Sequence, residues 1–365
     1  MMDFDELMEL LRQGFQNQSP FVVYHKPETK EIRAWLASEA RLGLNDPVSE
    51  PGFVFAPFDP GSQTVLFPRE SSEILKAQWT AEDKGSTDPA EPPIANHPLQ
   101  ASGSSSDAGR SEHVGLVQET IDFIRSGEAT KIVVSRREEV ELSDLDPLRI
   151  FRTLVQKYPG AFVYLWYHPG VGMWAGASPE VLLKMKNEFF QTMSLAGTRS
   201  YKGEGEISWG AKELEEQQLV TGLIQKELKP YLTHVGRAYD QRAGQLVHLR
   251  TDISGKIPAG FAPGRIIERL HPTAAVCGIP RDKAMDFILK KEGYPREYYT
   301  GYLGEFLAPE DGESNLFVNL RCMKLLPEQQ KAWIYVGGGI TAASDAAKEW
   351  EETVAKSRTM KKAFS

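Results

Sequence analysis

Ala161-Phe162-Val163-Tyr164-Leu165-Trp166-Tyr167 reads as a strand, and strand-like runs follow it at about residues 171 to 176, 181 to 185 and 188 to 195. Working outward, a helix over 147 to 157 leads into the first of these runs. Upstream, a helix from Val114 to Ser126 leads into Lys131-Ile132-Val133-Val134-Ser135, a β-branched strand. Downstream, Lys212 to Lys229 forms a long helix interrupted by Gly222 and stopped by Pro230. Leu246 to Ser254 is a strand with His248, Arg250 and Asp252 on one face. Helices around 262 to 270 and 281 to 292 precede strands at about 299 to 306, 316 to 325 and 331 to 337, and a last helix. Runs of strands with helices between hairpins, and no regular βαβ repeat, predict an α+β fold rich in antiparallel sheet.

Composition breaks once along the chain. Ala81 through Arg110 is rich in Ser, Gly, Pro, Asp and Ala, so about residues 80 to 110 are expected to form a flexible surface linker. Before it lie an acidic helix over about 3 to 15 and the strand-like pieces Phe21-Val22-Val23-Tyr24 and Phe53-Val54-Phe55. The chain has 365 residues, 41% hydrophobic and 25% charged, as in a globular protein with a sizeable core. A net charge of −8 without a long Lys/Arg block argues against nucleic acid as partner. Cys277 and Cys322 are too few for a disulfide framework and fit a reducing compartment. The acidic start lacks the basic region of a signal peptide and no run approaches 18 apolar residues, so no membrane is expected and the location is expected to be cytoplasmic.

Several stations place polar residues in apolar surroundings. Lys131 opens an apolar strand; it is either a solvated strand end or a desolvated base close to Arg136 or Arg137. Glu180, in Gly176-Ala177-Ser178-Pro179-Glu180, lies between a Pro turn and an apolar strand. It is either a turn cap or a carboxyl with a raised pKa, suited to general acid work. Glu216 sits among helical charges that are mostly solvated, and meeting Glu352 across a cleft is the alternative. His271 to Pro280 is a small-residue loop of the kind that closes over a compact ligand. His248 and Arg321, both placed in strands, complete the inventory, each open to the plainer reading of a solvent-facing residue.

Near the C-terminus Gly337-Gly338-Gly339-Ile340 is followed by Glu349, Glu352 and Lys356 at helical spacing. A glycine run lets backbone approach a ligand, and residues at i, i+3 and i+7 share one helix face. Two carboxylates suit a hard cation such as Mg2+, and the lysine suits an anion. The plainer alternative is a hairpin turn followed by a salt-bridged surface helix. The run also matches Gly-x-Gly-x-x-Ala, but only 23 residues follow Ala342, too few for a dinucleotide unit. No Gly-x-Ser-x-Gly, His-Glu-x-x-His or phosphate-binding loop occurs.

In order, Lys-Ile-Val-Val-Ser-Arg, Gly-Ala-Ser-Pro-Glu, Leu-Ala-Gly-Thr-Arg, the Lys-Glu-x-x-Glu helix, His-Pro-Thr-x-Ala-x-x-Gly-x-Pro, Gly-Gly-Gly-Ile and Glu-Trp-Glu-Glu-Thr-x-x-Lys resemble the chorismate-utilising enzymes over about residues 114 to 365. That family includes anthranilate synthase component I, aminodeoxychorismate synthase, isochorismate synthase and salicylate synthase. The resemblance implies one large anthranilate synthase component I-like fold, α+β, with antiparallel sheets packed as a sandwich and helices outside. Residues 1 to 110 would be its variable N-terminal part and 111 to 365 its chorismate-binding catalytic region. It implies Glu216 and Glu352 as Mg2+ ligands with Glu349 in support, and Lys131 and Glu180 as base and acid. Arg321 and Lys356 would anchor substrate carboxylates near the backbones of Gly337, Gly197 and Thr198. His248, Ala275, Val276 and Tyr299 would line the substrate site.

Three positions separate the branches of this family. Lys131 stands where ammonia-using members carry glutamine, and a lysine amine can take a proton from water where an amide cannot. Ala196 stands where the aminodeoxychorismate branch places a nucleophilic lysine. Ala275 stands where salicylate synthases carry threonine. The resemblance is closest to isochorismate synthases, and implies reversible conversion of chorismate to isochorismate for menaquinone or siderophore synthesis; the alternatives are a salicylate synthase, which adds pyruvate elimination, and a non-catalytic chorismate-binding protein. It implies no glutaminase subunit and a monomer or weak homodimer. Gln217 in place of a common histidine, Val336 and Gly338 in place of alanines, and Ala274 in place of a proline depart from the pattern without removing a catalytic group.

Overall fold

Strand Phe21–His25 shows how the sheets are built: Phe21 and Val23 pack into one apolar layer, while Val22 and Tyr24 pack into another. Side chains alternate across a strand, so an all-apolar strand must be covered on both faces. The computed structural model of the chain describes residues 2–43, 50–79, 107–200, 207–243, 246–258, 261–308 and 312–364.

Two antiparallel sheets result. The nine-stranded sheet runs Gly278–Ile279, Lys131–Glu141, Lys331–Ile340, Cys322–Leu326, Gly172–Ser178, Phe162–His168, Phe21–His25, Glu31–Ala37, Ser72–Gln78. The ten-stranded sheet is centred on Phe189–Ser200, Val181–Lys186, Ser314–Val318 and Tyr302–Phe306, with Leu246–Lys256 beyond the first of these and Gly52–Ala56 beyond the last. Their facing sides share one aromatic-rich core that includes Trp35, Phe53, Phe55, Trp166, Phe317 and Tyr335. Helices cover the outer sides. Phe4–Gln16 and Pro147–Lys157 pack on the first sheet, Ala211–Leu228 and Gly264–Leu270 on the second. The fold is thus an α+β sandwich, with strands from before residue 80 built into both sheets.

Four expectations need correction. The helix expected from Val114 begins at Asp107, inside the expected linker, because its first turns are polar and carry no apolar period. Residues 80 to 106 of that linker lie outside the described residues. The strand opened by Lys131 runs on to Glu141, its later charges shared between exposed and partnered positions. The single strand expected over 316 to 325 is two, one in each sheet, broken at Arg321, which has a left-handed φ of 48°. The glycine run is no turn: Lys331–Ile340 stays in the ladder, pairing Gly337 with Ser135 and Gly339 with Val133.

Candidate active site

The chain passes between the two sheets twice at one place. Ser178-Pro179-Glu180 links Gly172–Ser178 to Val181–Lys186, and Asn319-Leu320-Arg321 links Ser314–Val318 to Cys322–Leu326. The crossings are tied together, for Val318 N–H donates to Glu180 O at 3.0 Å and Ala177 N–H donates to Arg321 O at 3.0 Å. A cavity of about 180 Å3 opens beside them. That is small for a dinucleotide and suits a compact metabolite.

Glu180 borders this cavity and is 4% exposed. Burial raises its carboxyl pKa to about 8, against the opposing pull of the Lys131 charge. A carboxyl so placed holds its proton at neutral pH. Lys131 is fully buried, with its Nζ 2.9 Å from Glu216 Oε1. The contact is an ion pair without hydrogen-bond alignment. Lys131 is therefore no solvated strand end, but it stands behind Glu216 rather than on the cavity wall. Nor is it beside the arginines: Arg136 is engaged with Glu138 and Thr353, and Arg137 lies over the Trp333 ring.

The cavity also carries cations. Arg321 NH2 lies 3.0 Å from His248 Nε2, and His248 Nδ1 lies 3.0 Å from Gly197 O. A carbonyl only accepts, so Nδ1 bears the hydrogen and Nε2 accepts from the guanidinium. Burial, and then Arg321, lower the histidine pKa to about 4, which keeps the ring neutral. Burial lowers that of Arg321 to about 10, leaving it charged at neutral pH. Gly197 has a left-handed φ of 69°, and the ladder slips register between Ala196 and Arg199, which turns its carbonyl toward His248. Arg321 was expected in a strand; it sits just before one, at the crossing. Thr198 follows Gly197 in the strand Phe189–Ser200, but its side chain lies outside the described residues.

The last helix, Ala346–Lys361, supplies Glu349, Glu352 and Lys356 to the same cavity. Lys356 Nζ donates to Gly337 O at 2.9 Å and pairs with Glu352 at 2.7 Å. Glu349 accepts from Ser344 Oγ at 2.8 Å. The glycines admit these side chains. A Cβ on Gly339 would stand 2.8 Å from Glu216 Oε1 and 2.9 Å from Lys131 Cε. Ala275, Val276 and Tyr299 form further wall.

Glu216, Glu349 and Glu352 thus line one cavity, yet among the described residues no three His, Cys, Asp or Glu side chains are grouped to hold a metal. The expected ligand cluster is not preassembled, because Glu216 turns to Lys131 and Glu352 to Lys356. The donor chemistry still fits Mg2+, which takes one or two carboxylates and keeps waters. Sequence reasoning passed over Glu213, one helical turn before Glu216 and on the same wall. It also missed Thr300 and the buried pair Glu292–Arg296, whose i, i+4 spacing was the available signal.

Glu180, Glu216, Glu349 and Glu352 border one small cavity together with His248, Arg321 and Lys356, a mixed lining of carboxyl and cationic groups that suits a compact polar metabolite. The family model of chorismate binding enzymes matches residues 39–362, and the chain belongs to that family. It is 30% identical to the salicylate biosynthesis isochorismate synthase of Pseudomonas aeruginosa over 73% of this chain and 57% of the relative. It is 28% identical to anthranilate synthase component 1 of Thermococcus kodakarensis over 71% of this chain and 61% of the relative. The chain therefore spans less than two thirds of the length of these curated relatives. The structure of a putative 2,3-dihydroxybenzoate-specific isochorismate synthase from Bacillus anthracis matches with a TM-score of 0.77 and 23% identity, covering 97% of this chain and 98% of that one. No helix among the described residues is long and apolar enough to cross a membrane.

Proposed function

We propose that the chain is an isochorismate synthase, converting chorismate reversibly to isochorismate with Mg2+. One observation carries the reading: Glu180, whose pKa burial raises to about 8, borders the same cavity as Arg321 and Lys356, with Lys131 buried behind Glu216 of its wall. Arg321 and Lys356 bind the substrate's carboxylates and present the ring to Glu180. Lys131, parted from Glu216 and with its ammonium proton given up to solvent, takes a proton from water directed at C2. Glu180 gives its proton to the departing C4 hydroxyl as the ring double bonds shift between the two carbons. One water is added and one is lost, so the product is an isomer. Neutral His248 holds Arg321 in place without adding charge of its own. Glu216 and Glu352, with Glu349 in support, would hold Mg2+, which would supply positive charge for a substrate carboxylate.

Lysine rather than an amide at 131 favours water over ammonia, so no glutaminase partner is required. Alanine at 196 leaves no nucleophile for a covalent route. The similarity to isochorismate synthases supports this branch, and the product would enter menaquinone or siderophore synthesis in the cytoplasm. The test is a product assay with chorismate, with Mg2+ and then with a chelator. Isochorismate formed only with the metal is the expected result; salicylate and pyruvate as main products would overturn the reading.

A further inference from the structure

Arg296 lies outside the cavity wall and outside every role given above, yet it touches three segments that form that wall. Its side chain and that of Glu292 are 2% and 1% exposed. Nε donates to Glu292 Oε2 at 2.8 Å, NH2 donates to Val133 O at 2.6 Å, and NH1 donates to Val276 O at 2.9 Å and Thr300 Oγ1 at 3.2 Å. The guanidinium carbon sits 4.4 Å from the Phe58 ring centroid. Glu292 in turn accepts from Ser135 N–H at 2.7 Å and from its hydroxyl at 3.0 Å. One planar fork therefore joins the strand that carries Lys131, the loop that carries Ala275, and the segment of Tyr299 and Thr300.

The third segment shows what the fork holds against. Thr300 has a left-handed φ of 61°, an unfavourable backbone for a β-branched residue. Its N–H donates to Asn319 O at 2.9 Å and its hydroxyl receives Arg296. Such a backbone persists only when its surroundings fix it. A buried ion pair stabilises little against an apolar replacement, and its better-attested use is to specify one arrangement.

We infer that Arg296, held by Glu292, is a positioning residue that fixes the Val133, Val276 and Thr300 walls relative to one another and so sets the shape of the substrate cavity. The part of this that concerns turnover rests on the isochorismate synthase reading; the structural clamp does not. Lysine keeps the charge but lacks the fork, so it reaches one carbonyl at a time.

The test uses the full-length Arg296→Lys protein, with Glu292→Gln as a milder second variant and Glu305→Gln as a control that weakens a buried ion-pair cluster elsewhere. Hydrogen exchange should speed by about tenfold or more in peptides covering 273 to 278 and 299 to 301, and not in the helix of residues 211 to 228. At a temperature where each variant is folded, kcat/KM for chorismate should fall about 10- to 100-fold in Arg296→Lys, less in Glu292→Gln, and stay level in Glu305→Gln. If Arg296→Lys does not fold, Glu292→Gln carries both measurements. Unchanged exchange in those peptides, or a loss of kcat/KM no larger than the control's, overturns the inference. A wild-type protein inert toward chorismate would remove the function reading alone, because exchange still decides the clamp.

Discussion

Glu180 and Glu305 are both buried glutamates on the ten-stranded side of the sandwich, and their surroundings differ in kind. Glu305 is 1% exposed; its Oε1 accepts from Tyr24 OH and Arg33, its Oε2 is ion-paired with Lys26, and Trp35 Nε1 donates to Tyr24 OH at 3.2 Å behind them. Oε1 is met by two donors and Oε2 by the Lys26 cation alone, an arrangement that suits a structural carboxylate. Glu180 is 4% exposed at a crossing between sheets, and burial outweighs the opposing pull of the Lys131 cation. The difference teaches where chemistry resides. A carboxyl whose charge is fully compensated supports the fold; one left under-compensated keeps a proton to give.

The largest effects belong to the under-compensated site. Lys131→Ala should lower kcat for chorismate by about 10²- to 10⁴-fold while Mg2+ binding, followed by calorimetry, stays within a few-fold. Turnover at the wild-type rate would show that Lys131 is not the base. Glu180→Gln should cost a similar factor, and its wild-type counterpart should show a distinctive pH response. With a pKa of about 8 the acid form is lost as pH rises through 8, so kcat/KM should fall above that value. The same raised pKa gives a sign for stability. The folded state binds a proton that the unfolded carboxyl releases above about 4.5, so this contribution is full below 4.5 and fades as pH approaches 8. Glu180→Gln should therefore gain melting temperature relative to wild type as pH is raised across that window, and a constant difference would refute the assignment.

Next in size, Arg321→Ala should raise KM for chorismate about 10- to 100-fold with a smaller change in kcat, as loss of a charged hydrogen bond to substrate predicts. The contrasting structural carboxylate should behave in the opposite way. Glu305→Gln should lower the urea unfolding free energy by about 3 kcal/mol or more and leave kcat/KM unchanged, and a KM shift would collapse the comparison. The smallest effect is expected at the cavity wall. Ala275→Thr should raise the share of salicylate and pyruvate among the products by less than about tenfold, read by chromatography, because one small side chain changes shape without changing charge.

Much of the site was legible before the fold was known, because its residues recur as short ordered motifs, but their arrangement was not. Glu349, Glu352 and Lys356 share a helix face by spacing alone, and the structure turns that face to the cavity. The glycine run read locally as a turn because nothing in it pointed to a strand. Its reason is a tertiary one: Lys131 and Glu216 occupy the space beside Gly339. The break at Arg321 was invisible because apolar residues flank it on both sides, although they belong to different sheets. Gly52–Ala56 was legible as an apolar run, whereas Glu31–Ala37 and Ser72–Gln78 mix charged residues with apolar ones, as an edge of a sheet allows.

The most direct test of the account is the origin of the new hydroxyl. With wild-type protein, chorismate and Mg2+ in water enriched in oxygen-18, isochorismate should carry one heavy oxygen at C2, since Lys131 is held to activate solvent water. Unlabelled isochorismate, formed by moving the C4 hydroxyl within the substrate, would contradict it.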